Sequence, residues 1–501
     1  MKLSLILLTI FALHMCNTDK QRQTAANPAA VQLEATVLAD LHTLYKESAL
    51  HHRRFKHVDI DSLTQVHQTR AVLGVQQIGK SVEGRAIYEW EYGQGDKKVM
   101  LWSQMHGDEP TATMALFDLF NFLEGKNDGQ DTIRALLKTN LQLRFIPMLN
   151  PDGADRYTRR NAQSIDLNRD ARATQTPEGA LLKSRGQQFK PRYAFNLHDQ
   201  NIYYNIPGSA TPVTISMLAP AYNTERAVNE VRADAMKLVV GMDRLLQVYI
   251  PNAVARYDDT HTARGFGDNF QLWGASTVLI ESGGKAGDPE KQEIRKYNFA
   301  IILNALVEIA QGSYQQYDRA AYDKIPYNAA QLHDLLIRNL HTTTNQIPLK
   351  VDVAIRRSEI TVNRDYYVRG IIEDIGDLKE SYGYRELDAE GLYFMPAKVS
   401  PVAIKSLQEL TSEKVYSLLK AGFMAVPYPA MSLHKTPVLH NLPLIIFSQK
   451  NFFTTSSLDL GGTSNFFMAD KNGNVKFGVC NGYLIDLRED LTDMHYKNRV
   501  F

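Results

Sequence analysis

Two histidines and one glutamate have residue types and a spacing that suit a metal site. His106 directly follows the apolar run 99–105, and Glu109 stands three positions further on. His198 directly follows a second apolar run, 193–197. A hydrolytic zinc ion is held by about three nitrogen or oxygen ligands and keeps one position open for water. A His-x-x-Glu tetrapeptide also occurs in solvated turns, so the zinc hypothesis depends on the residues around it.

The elements that must position these residues are four apolar runs, each of which ends in a polar cluster. Between residues 74 and 312, such runs alternate with stretches of helical periodicity. This pattern predicts an α/β fold with an open, mostly parallel or mixed sheet flanked by helices, and ligands of such sheets lie at the carboxyl ends of the strands. The polar clusters are His106-Gly-Asp-Glu109 after run 99–105, Asn150-Pro-Asp-Gly153 after run 141–149, His198-Asp-Gln200 after run 193–197, and Glu281-Ser-Gly-Gly284 after run 276–280.

Several motifs in this part of the chain carry a resemblance to a known family. Met105-His-Gly-Asp-Glu-Pro110 resembles the zinc motif of the zinc carboxypeptidases typified by pancreatic carboxypeptidase A, and residues 79–87 resemble their first strands. Asn150-Pro-Asp-Gly153, Thr158-Arg-Arg-Asn-Ala162 and Asp166-Leu-Asn-Arg169 resemble their substrate-binding segment. The resemblance covers roughly residues 74–312. It implies a carboxypeptidase A-like fold and an enzyme that hydrolyses the C-terminal peptide bond.

The resemblance implies four residues at the reaction centre. His106, Glu109 and His198 are the implied ligands of one zinc ion per chain, and Glu281 is the implied general base that accepts a proton from the attacking water. Without a metal nearby, Glu281 would be interpreted as a helix cap or an ion-pair partner. Its position directly after the apolar run 276–280 favours the catalytic interpretation.

Arginine suits two further tasks, because its planar guanidinium stays charged and binds a carboxylate through two hydrogen bonds. By the resemblance, Arg169 together with Asn168 binds the terminal carboxylate of the substrate. Arg159 is implied to stabilise the oxyanion of the tetrahedral intermediate. Arg160 is the alternative if the register is shifted by one residue. It is otherwise expected to lie on a basic surface loop.

A tyrosine that covers the bound substrate is also implied by the resemblance. Tyr257 stands near the matching position, and Tyr222, Tyr249 and Tyr297 are alternatives. Asp268 stands where the family lines its side-chain pocket, which would favour a basic terminal residue.

The chain also departs from the family pattern at three positions. Asp170 and Ala171 replace the usual asparagine and phenylalanine after the Asn-Arg pair, and Asp199 replaces the usual serine after the third ligand. Asp199 is expected either to orient a zinc-binding histidine or to alter the substrate pocket. The substrate preference therefore stays open.

Length and composition indicate the domain organisation and exclude some partners. The chain has 501 residues, 44% of them hydrophobic, and this length exceeds what one core usually holds. We expect a catalytic domain at 28–313, which begins with a helix that reaches to about residue 67, and a β-rich accessory domain at 320–501. With 56 Lys+Arg against 55 Asp+Glu, the net charge of +1 gives no field that would attract nucleic acid.

The last third of the chain differs in pattern from the part before it. Runs such as 365–372 have β-type composition. Asn472-Gly473 between the runs 466–468 and 475–477 predicts a tight hairpin turn. A helix is predicted over residues 402–421, and it should end at Gly422.

The first residues predict export to the periplasm or the outside of the cell. Residues 1–15 combine one lysine with an apolar run too short to span a bilayer, so residues 1–16 are interpreted as an export signal. Cys16 stands where bacterial lipoproteins carry a lipid, but His14 and Met15 fit that signal poorly, and a lipid anchor stays open. Cys480 then has no partner, so the chain should be stable without a disulfide. No other segment has the length and apolar character of a transmembrane helix.

The function therefore has several interpretations at this point. The Asn168-Arg169 pair suits peptides and bacterial muropeptides alike, since both present a free carboxylate. A deacylase of N-acyl amino acids would use the same metal and base. A binding protein without turnover is disfavoured, because the three ligand positions and the base position are all occupied by suitable residues.

Overall fold

The computed structural model describes residues 33–429, 431, 436–448, 456–489, 491 and 495–501. The export signal expected at 1–16, with Cys16, lies outside the described residues, so export and lipid attachment stay predictions. None of the helices within the described ranges has the length and apolar character that crossing a membrane requires.

One eight-stranded sheet organises residues 74–282. Its strands are β1 (Gly74–Lys80), β2 (Ala86–Tyr92), β3 (Lys97–Ser103), β4 (Leu141–Ile146), β5 (Tyr193–Asp199), β6 (Ile215–Leu218), β7 (Val254–Arg256) and β8 (Ser276–Ser282). They lie in the order β1-β2-β4-β3-β5-β8-β6-β7. The central strands β4, β3, β5 and β8 are parallel, while β2 and β6 run antiparallel to the block they flank. The expected open, mixed sheet is confirmed.

Helices follow most of these strands. In the described chain they are α1 (Ala35–Tyr45), α2 (His57–Arg70), α3 (Thr111–Glu124), α4 (Asp131–Asn140), α5 (Pro151–Arg156), α6 (Pro177–Phe189), α7 (Glu230–Tyr249), α8 (Phe266–Leu272), α9 (Gln292–Gln311) and α10 (Ser412–Lys420). The helix after the first polar cluster is α3, which begins after Pro110 and ends before Gly125.

Helices cover both faces of the sheet. On one face, Trp102 of β3 packs on Phe270 of α8, with ring centroids 4.4 Å apart. On the opposite face, Trp90 of β2 stacks on Phe120 of α3 at 4.2 Å. Successive residues of a strand point to opposite faces, so a strand buried on both faces needs apolar residues in succession. This explains the uninterrupted apolar runs that the sequence shows.

The single leading helix expected up to residue 67 is wrong, because two helices fill this part of the chain. α1 ends at Tyr45, and α2 begins at His57. Between them, Arg53 and Arg54 are buried and form ion pairs with Glu359. The interruption is therefore set by a distant partner, whereas periodicity reports only local structure.

The guanidinium of Arg54 lies between two tyrosine rings. Its Cζ atom is 4.2 Å from the ring centroid of Tyr157 and 4.1 Å from that of Tyr366. The same guanidinium donates to Glu359 at 2.6 Å. Stacking on aromatic faces and pairing with a carboxylate both stabilise a guanidinium. Because Tyr157 directly follows α5, this cluster joins the C-terminal strands to the segment that leads to Arg159.

The C-terminal region is rich in β-strands, as expected. Its described strands are β9 (Leu332–Thr344), β10 (Ile347–Val362), β11 (Asp365–Gly376), β12 (Tyr382–Asp388), β13 (Tyr393–Pro396), β14 (Lys398–Val399), β15 (Phe423–Pro427), β16 (Leu439–His440), β17 (Ile445–Phe447), β18 (Phe466–Ala469), β19 (Val475–Cys480), β20 (Tyr483–Asp486) and β21 (Asn498–Arg499). The main sheet has the order β11-β10-β9-β13-β18-β19-β20, and β12 pairs with β9.

Two local predictions for this region have different outcomes. The hairpin is confirmed: β18 and β19 pair antiparallel, and Gly473 in the turn has a φ of 83°. The helix predicted over 402–421 is shorter, because α10 begins at Ser412 with Thr411 as its N-cap.

Residues Leu33–Phe501 form one compact unit, and the division into 28–313 and 320–501 stays a prediction.

Candidate active site

The parallel register of the central strands brings the predicted polar clusters to one edge of the sheet. β5 and β8 pair so that His198 lies opposite Glu281 and Asp199 lies opposite Ser282. β3 ends beside β5, where Ser103 pairs with Leu197. Since the carboxyl ends of parallel strands meet at the same edge, the residues that follow β3 lie next to His198.

A close approach of two loops holds the His-Gly-Asp-Glu turn after β3. A Cβ atom on Gly107 would overlap the backbone of Gly153, so only glycine fits there. The buried Asn150 side chain links the same two loops. It accepts from the Gly153 N–H at 2.9 Å and donates to the Met105 carbonyl at 3.2 Å. The Asn-Pro-Asp-Gly cluster therefore supports the turn directly.

Three buried side chains converge at this edge. The Nδ1 atoms of His106 and His198 lie 2.8 and 2.7 Å from the two carboxylate oxygens of Glu109. One possible ligand atom from each residue lies within 4.8 Å of the others. The three residues expected to bind metal are therefore brought together with their donor atoms facing a common point.

The charges of these groups depend on burial and on their proximity. Burial raises the pKa of Glu109, but His106 and His198 lower it further, so it lies well below its usual range. Burial lowers the pKa of His106, but Glu109 and Asp166 raise it to about 9. Burial also lowers the pKa of His198. A metal ion that binds these nitrogens must displace any proton they carry.

Asp166 is a residue of the site to which the sequence assigned no role. Its Oδ1 lies 3.0 Å from His106 Nε2 and accepts from the Asn168 N–H at 2.9 Å. Its Oδ2 accepts from Arg159 Nε at 3.1 Å and Nη2 at 3.0 Å. A carboxylate behind a ligand imidazole fixes the ring orientation and tautomer. The available signal was its position two residues before Asn168 in the substrate-binding motif.

One cavity of about 220 Å³ is lined by every residue that the sequence placed at the site. Asp199 and Asp268 also line this cavity. The eight residues with predicted roles are His106, Glu109, Arg159, Asn168, Arg169, His198, Tyr257 and Glu281.

Glu281 lies on β8, every residue of which is buried. Burial raises the pKa of its carboxyl well above the usual range, and the nearby Glu109 carboxylate adds to the effect. A carboxyl in such surroundings takes up a proton readily. Its interpretation as a helix cap is wrong, because α9 begins at Gln292 and has Lys291 at its N-cap.

The two arginines of the cavity differ in their partners. Arg159 pairs with Asp166 and lies 3.2 Å from Glu109. Arg169 donates to the Asn168 carbonyl at 2.7 Å, and no carboxylate within the described ranges pairs with it. Arg160 donates to a backbone carbonyl on the exposed loop and is absent from the cavity lining. This placement favours Arg159 over Arg160 and leaves Arg169 available to an anionic ligand.

Tyr257 lines the cavity, and the three alternative tyrosines do not. Its ring meets Tyr204 edge-on at 5.9 Å. Burial raises the pKa of its hydroxyl, and the Glu281 carboxylate adds to that effect. Tyr249 and Tyr297 pack on each other with centroids 5.5 Å apart. Of the four candidates, only Tyr257 is placed to touch a ligand in the cavity.

Two departures from the family pattern have structural tasks in this chain. Asp170 accepts from the N–H groups of Gln175 at 2.7 Å and Thr176 at 2.9 Å, and so caps the loop that enters α6. Ala171 is fully buried in the core beneath the sheet. Neither residue lines the cavity.

The third departure is Asp199, which was expected either to orient a zinc-binding histidine or to alter the substrate pocket. Its carboxylate makes no hydrogen bond to a histidine among the described residues. Its Oδ2 accepts from Thr111 Oγ1 at 2.6 Å and from Lys291 Nζ at 2.9 Å. Its backbone N–H donates to Glu109 Oε2 at 3.2 Å. Burial raises the pKa of Asp199, although Lys291 opposes the shift. Asp199 therefore acts on Glu109 through its backbone, and its carboxylate belongs to an ion pair.

The donor set suits a zinc ion. Zinc is bound in proteins by imidazole nitrogen and carboxylate oxygen, and the hydrolytic sites use three protein ligands. His106, Glu109 and His198 provide this set, and all three also face the cavity. The Asp166 contact on Nε2 of His106 leaves the Nδ1 atom for the metal.

The fold and the site define a candidate metal centre at the carboxyl edge of an α/β sheet. Residues 60–219, which contain all three candidate ligands, match the family model of the zinc carboxypeptidases. The family resemblance of these residues is therefore confirmed.

Individual relatives also match parts of the chain. The chain is 33% identical to carboxypeptidase SOL1 of Arabidopsis thaliana over 99 residues, which are 19% of this chain and 20% of that protein. It is 26% identical to human carboxypeptidase D over 181 residues, 31% of this chain and 13% of that protein. A metallo-carboxypeptidase structure from Burkholderia cenocepacia aligns at a TM-score of 0.41 and 16% identity, and covers 52% of this chain and 70% of its own. The chain thus spans a fifth or less of the two named curated relatives.

Proposed function

We propose that this chain is a zinc-dependent carboxypeptidase, which hydrolyses the C-terminal peptide bond of its substrate. The observation that supports this most directly is the presence of Arg169 in the same cavity as the metal-ligand cluster and Glu281. A fixed guanidinium binds a free carboxylate through two hydrogen bonds. It would hold the terminal peptide bond beside the cluster through position rather than through added reactivity.

The remaining residues of the cavity supply the chemistry. A zinc ion held by the His106, Glu109 and His198 set would lower the pKa of a water molecule and polarise the peptide carbonyl. Glu281 accepts a proton from the attacking water and passes it to the departing amine. Arg159 stabilises the negative charge that develops on the carbonyl oxygen.

Tyr257 and Asp268 determine how the substrate is enclosed. Tyr257 covers the bound terminal residue, because its ring lines the cavity beside Glu281. The Asp268 carboxylate accepts from the Thr262 N–H at 2.8 Å and lies 3.2 Å from His261 Nδ1. It still faces the cavity, so we infer a preference for a basic C-terminal residue.

The test is a substrate panel for the purified, zinc-loaded protein. Free-acid peptides, their C-terminal amides, purified muropeptides and N-acyl amino acids are incubated with it, and the products are measured by mass spectrometry. Release of a single C-terminal residue from free-acid peptides alone is the expected result. Equal cleavage of the amides, internal cleavage, or no hydrolysis of any substrate would contradict the proposal, and EDTA treatment with zinc restoration is the control.

A further inference from the structure

A buried ammonium joins the ends of two strands that carry site residues. Lys291 is 5% exposed, and its Nζ donates to Asp199 Oδ2 at 2.9 Å and to the Ser282 carbonyl at 3.0 Å. Asp199 directly follows His198 at the end of β5, and Ser282 directly follows Glu281 at the end of β8. One cation therefore connects the neighbour of a candidate metal ligand with the neighbour of the candidate base.

The backbone at Lys291 is in a conformation that lysine rarely adopts. Its φ is 52° and its ψ is 32°, the left-handed region that favours glycine. Lys291 also stands at the N-cap of α9, where serine, threonine, aspartate or asparagine is preferred, and it makes no side-chain cap bond. Neither the backbone nor the cap favours lysine at this position. What favours lysine here is the contact of its ammonium with Asp199 at the end of β5 and with Ser282 at the end of β8.

Further hydrogen bonds extend this connection on both sides. The backbone N–H of Asp199 donates to Glu109 Oε2 at 3.2 Å, so the ion-paired residue also holds a candidate ligand. On the other side, Asn298 of α9 donates to Ser282 Oγ at 2.9 Å. Two residues at the start of α9 therefore hold the end of β8. Lys291 donates to the Ser282 carbonyl, and Asn298 donates to the Ser282 hydroxyl. A continuous chain of contacts leads from Glu109 through the ion pair to the residue after Glu281.

We propose that Lys291 is a positioning residue, which fixes Glu281 relative to the metal ligands through its ion pair with Asp199. The inference rests on the proposed function, since the placement of Glu281 matters only if Glu281 acts on a substrate beside the metal. A misplacement of reacting groups by about 1 Å costs a large factor in rate, even when the substrate still binds. The pair therefore acts on turnover rather than on affinity for the substrate.

The test removes both charges at once, because a lone buried charge would destabilise the fold. The double variant Asp199→Asn/Lys291→Met keeps the side-chain volumes nearly unchanged. It should fold and bind one metal ion per chain, with kcat lowered by about ten- to a hundredfold and KM unchanged. Asp199→Asn alone keeps an oxygen acceptor for Lys291 but removes its counter-ion, so its melting temperature is measured together with kcat, for which an intermediate loss is expected.

A spectroscopic measurement separates this inference from the proposed function. In the Co²⁺-substituted protein, the visible absorption of the metal should change in the double variant, because loss of the ion pair frees the backbone at residue 199, whose N–H donates to Glu109. This change does not require turnover. A parent that hydrolyses no free-acid peptide would overturn the proposed function, while the cobalt spectrum would still decide whether the pair sets the geometry of the ligands.

A second buried pair on the same helix provides the matched control. Arg295 lies on α9 close to Lys291 and pairs with Asp118, and both side chains are fully buried. Arg295→Met/Asp118→Asn should alter the melting temperature while kcat and the cobalt spectrum stay at parental values. Parental kcat and a parental cobalt spectrum in both Asp199 variants would overturn the positioning role. An equal loss of kcat in the Arg295/Asp118 control variant would also overturn it, since the loss would then follow from general destabilisation of the fold.

Discussion

His198 and Glu281 lie directly opposite one another on the neighbouring parallel strands β5 and β8. Paired residues of adjacent strands project from the same face of a sheet, about 4.8 Å apart along the hydrogen-bonding direction. Both side chains accordingly line the same cavity. The separation between the candidate base Glu281 and the candidate metal ligand His198 is thus set by two hydrogen-bonded strands.

Replacement of Glu281 by glutamine should separate metal binding from turnover. The amide keeps the shape of the side chain but cannot accept a proton at neutral pH. We expect unchanged zinc content and a fall in kcat of about 10² to 10⁴, measured by peptide hydrolysis and elemental analysis. The exposed Glu293→Gln on α9 is the control. Near-parental kcat in Glu281→Gln would refute its role as the base.

His198→Ala should remove most of the bound zinc, because it deletes one of only three candidate ligands in the cluster. The parent is expected to contain about one zinc ion per chain, measured by inductively coupled plasma mass spectrometry after gel filtration. His51→Ala, at an exposed position outside the cavity, should keep the parental content. Equal zinc in the His198 variant and the parent would exclude His198 from the site.

Arg169→Ala should abolish most activity on free-acid peptides and leave zinc in place. The guanidinium contributes a charged partner for the terminal carboxylate, and loss of a hydrogen bond to a charged group costs about 1.5–3 kcal/mol. Arg160→Ala changes a neighbouring exposed arginine that does not line the cavity, so its kcat/KM should equal that of the parent. The exopeptidase interpretation is wrong if the two variants behave alike, or if the parent cleaves amidated peptides equally well.

Asp268→Asn should reduce the preference for basic terminal residues. Its carboxylate faces the cavity, and the neutral amide would lose the charged contact with a terminal lysine or arginine. The ratio of kcat/KM for peptides ending in lysine over those ending in leucine should fall by about tenfold or more. The absolute rate for the leucine peptide should change little. An unchanged ratio would place the specificity elsewhere in the cavity.

Glu359→Gln should lower the stability of the fold in a pH-dependent way. Burial raises the pKa of Glu359, but Arg53 and Arg54 lower it further, so the net shift is downward. A depressed folded-state pKa adds stability above the unfolded value of about 4.3 and loses it as the pH falls through the folded-state pKa.

The variant should therefore be about 3 kcal/mol less stable at pH 7, at the low end for a broken buried pair because the Glu359 side chain is 32% exposed. Urea denaturation at pH 7 and at pH 3 measures the difference, which should shrink at the lower pH. A difference that does not depend on pH would show that shape, not charge, is responsible.

The residues that the sequence identified share a local signal. His106, His198 and Glu281 each follow an apolar run directly, so the strand ends and their meeting at one edge could be predicted from neighbours in the chain. Lys291 had no such signal, since its partner Asp199 lies 92 positions away. Contacts of this kind depend on how helices and loops return to the sheet, which periodicity does not report. The same reason explains the break between α1 and α2 near Arg54.

The stacking of Arg54 between Tyr157 and Tyr366 also has a consequence in time. Glu359, the carboxylate partner of Arg54, is added to the chain 305 residues later. At a synthesis rate of about 5–20 residues per second, Arg54 lacks both Glu359 and the Tyr366 ring for roughly 15–60 s after it has been synthesised. The contacts of Arg54 with Glu359 and Tyr366 therefore form only after the hairpin of β10 and β11 has been made. Until then, Arg54 can stack on Tyr157 alone, and the segment after α5 lacks its connection to the C-terminal strands.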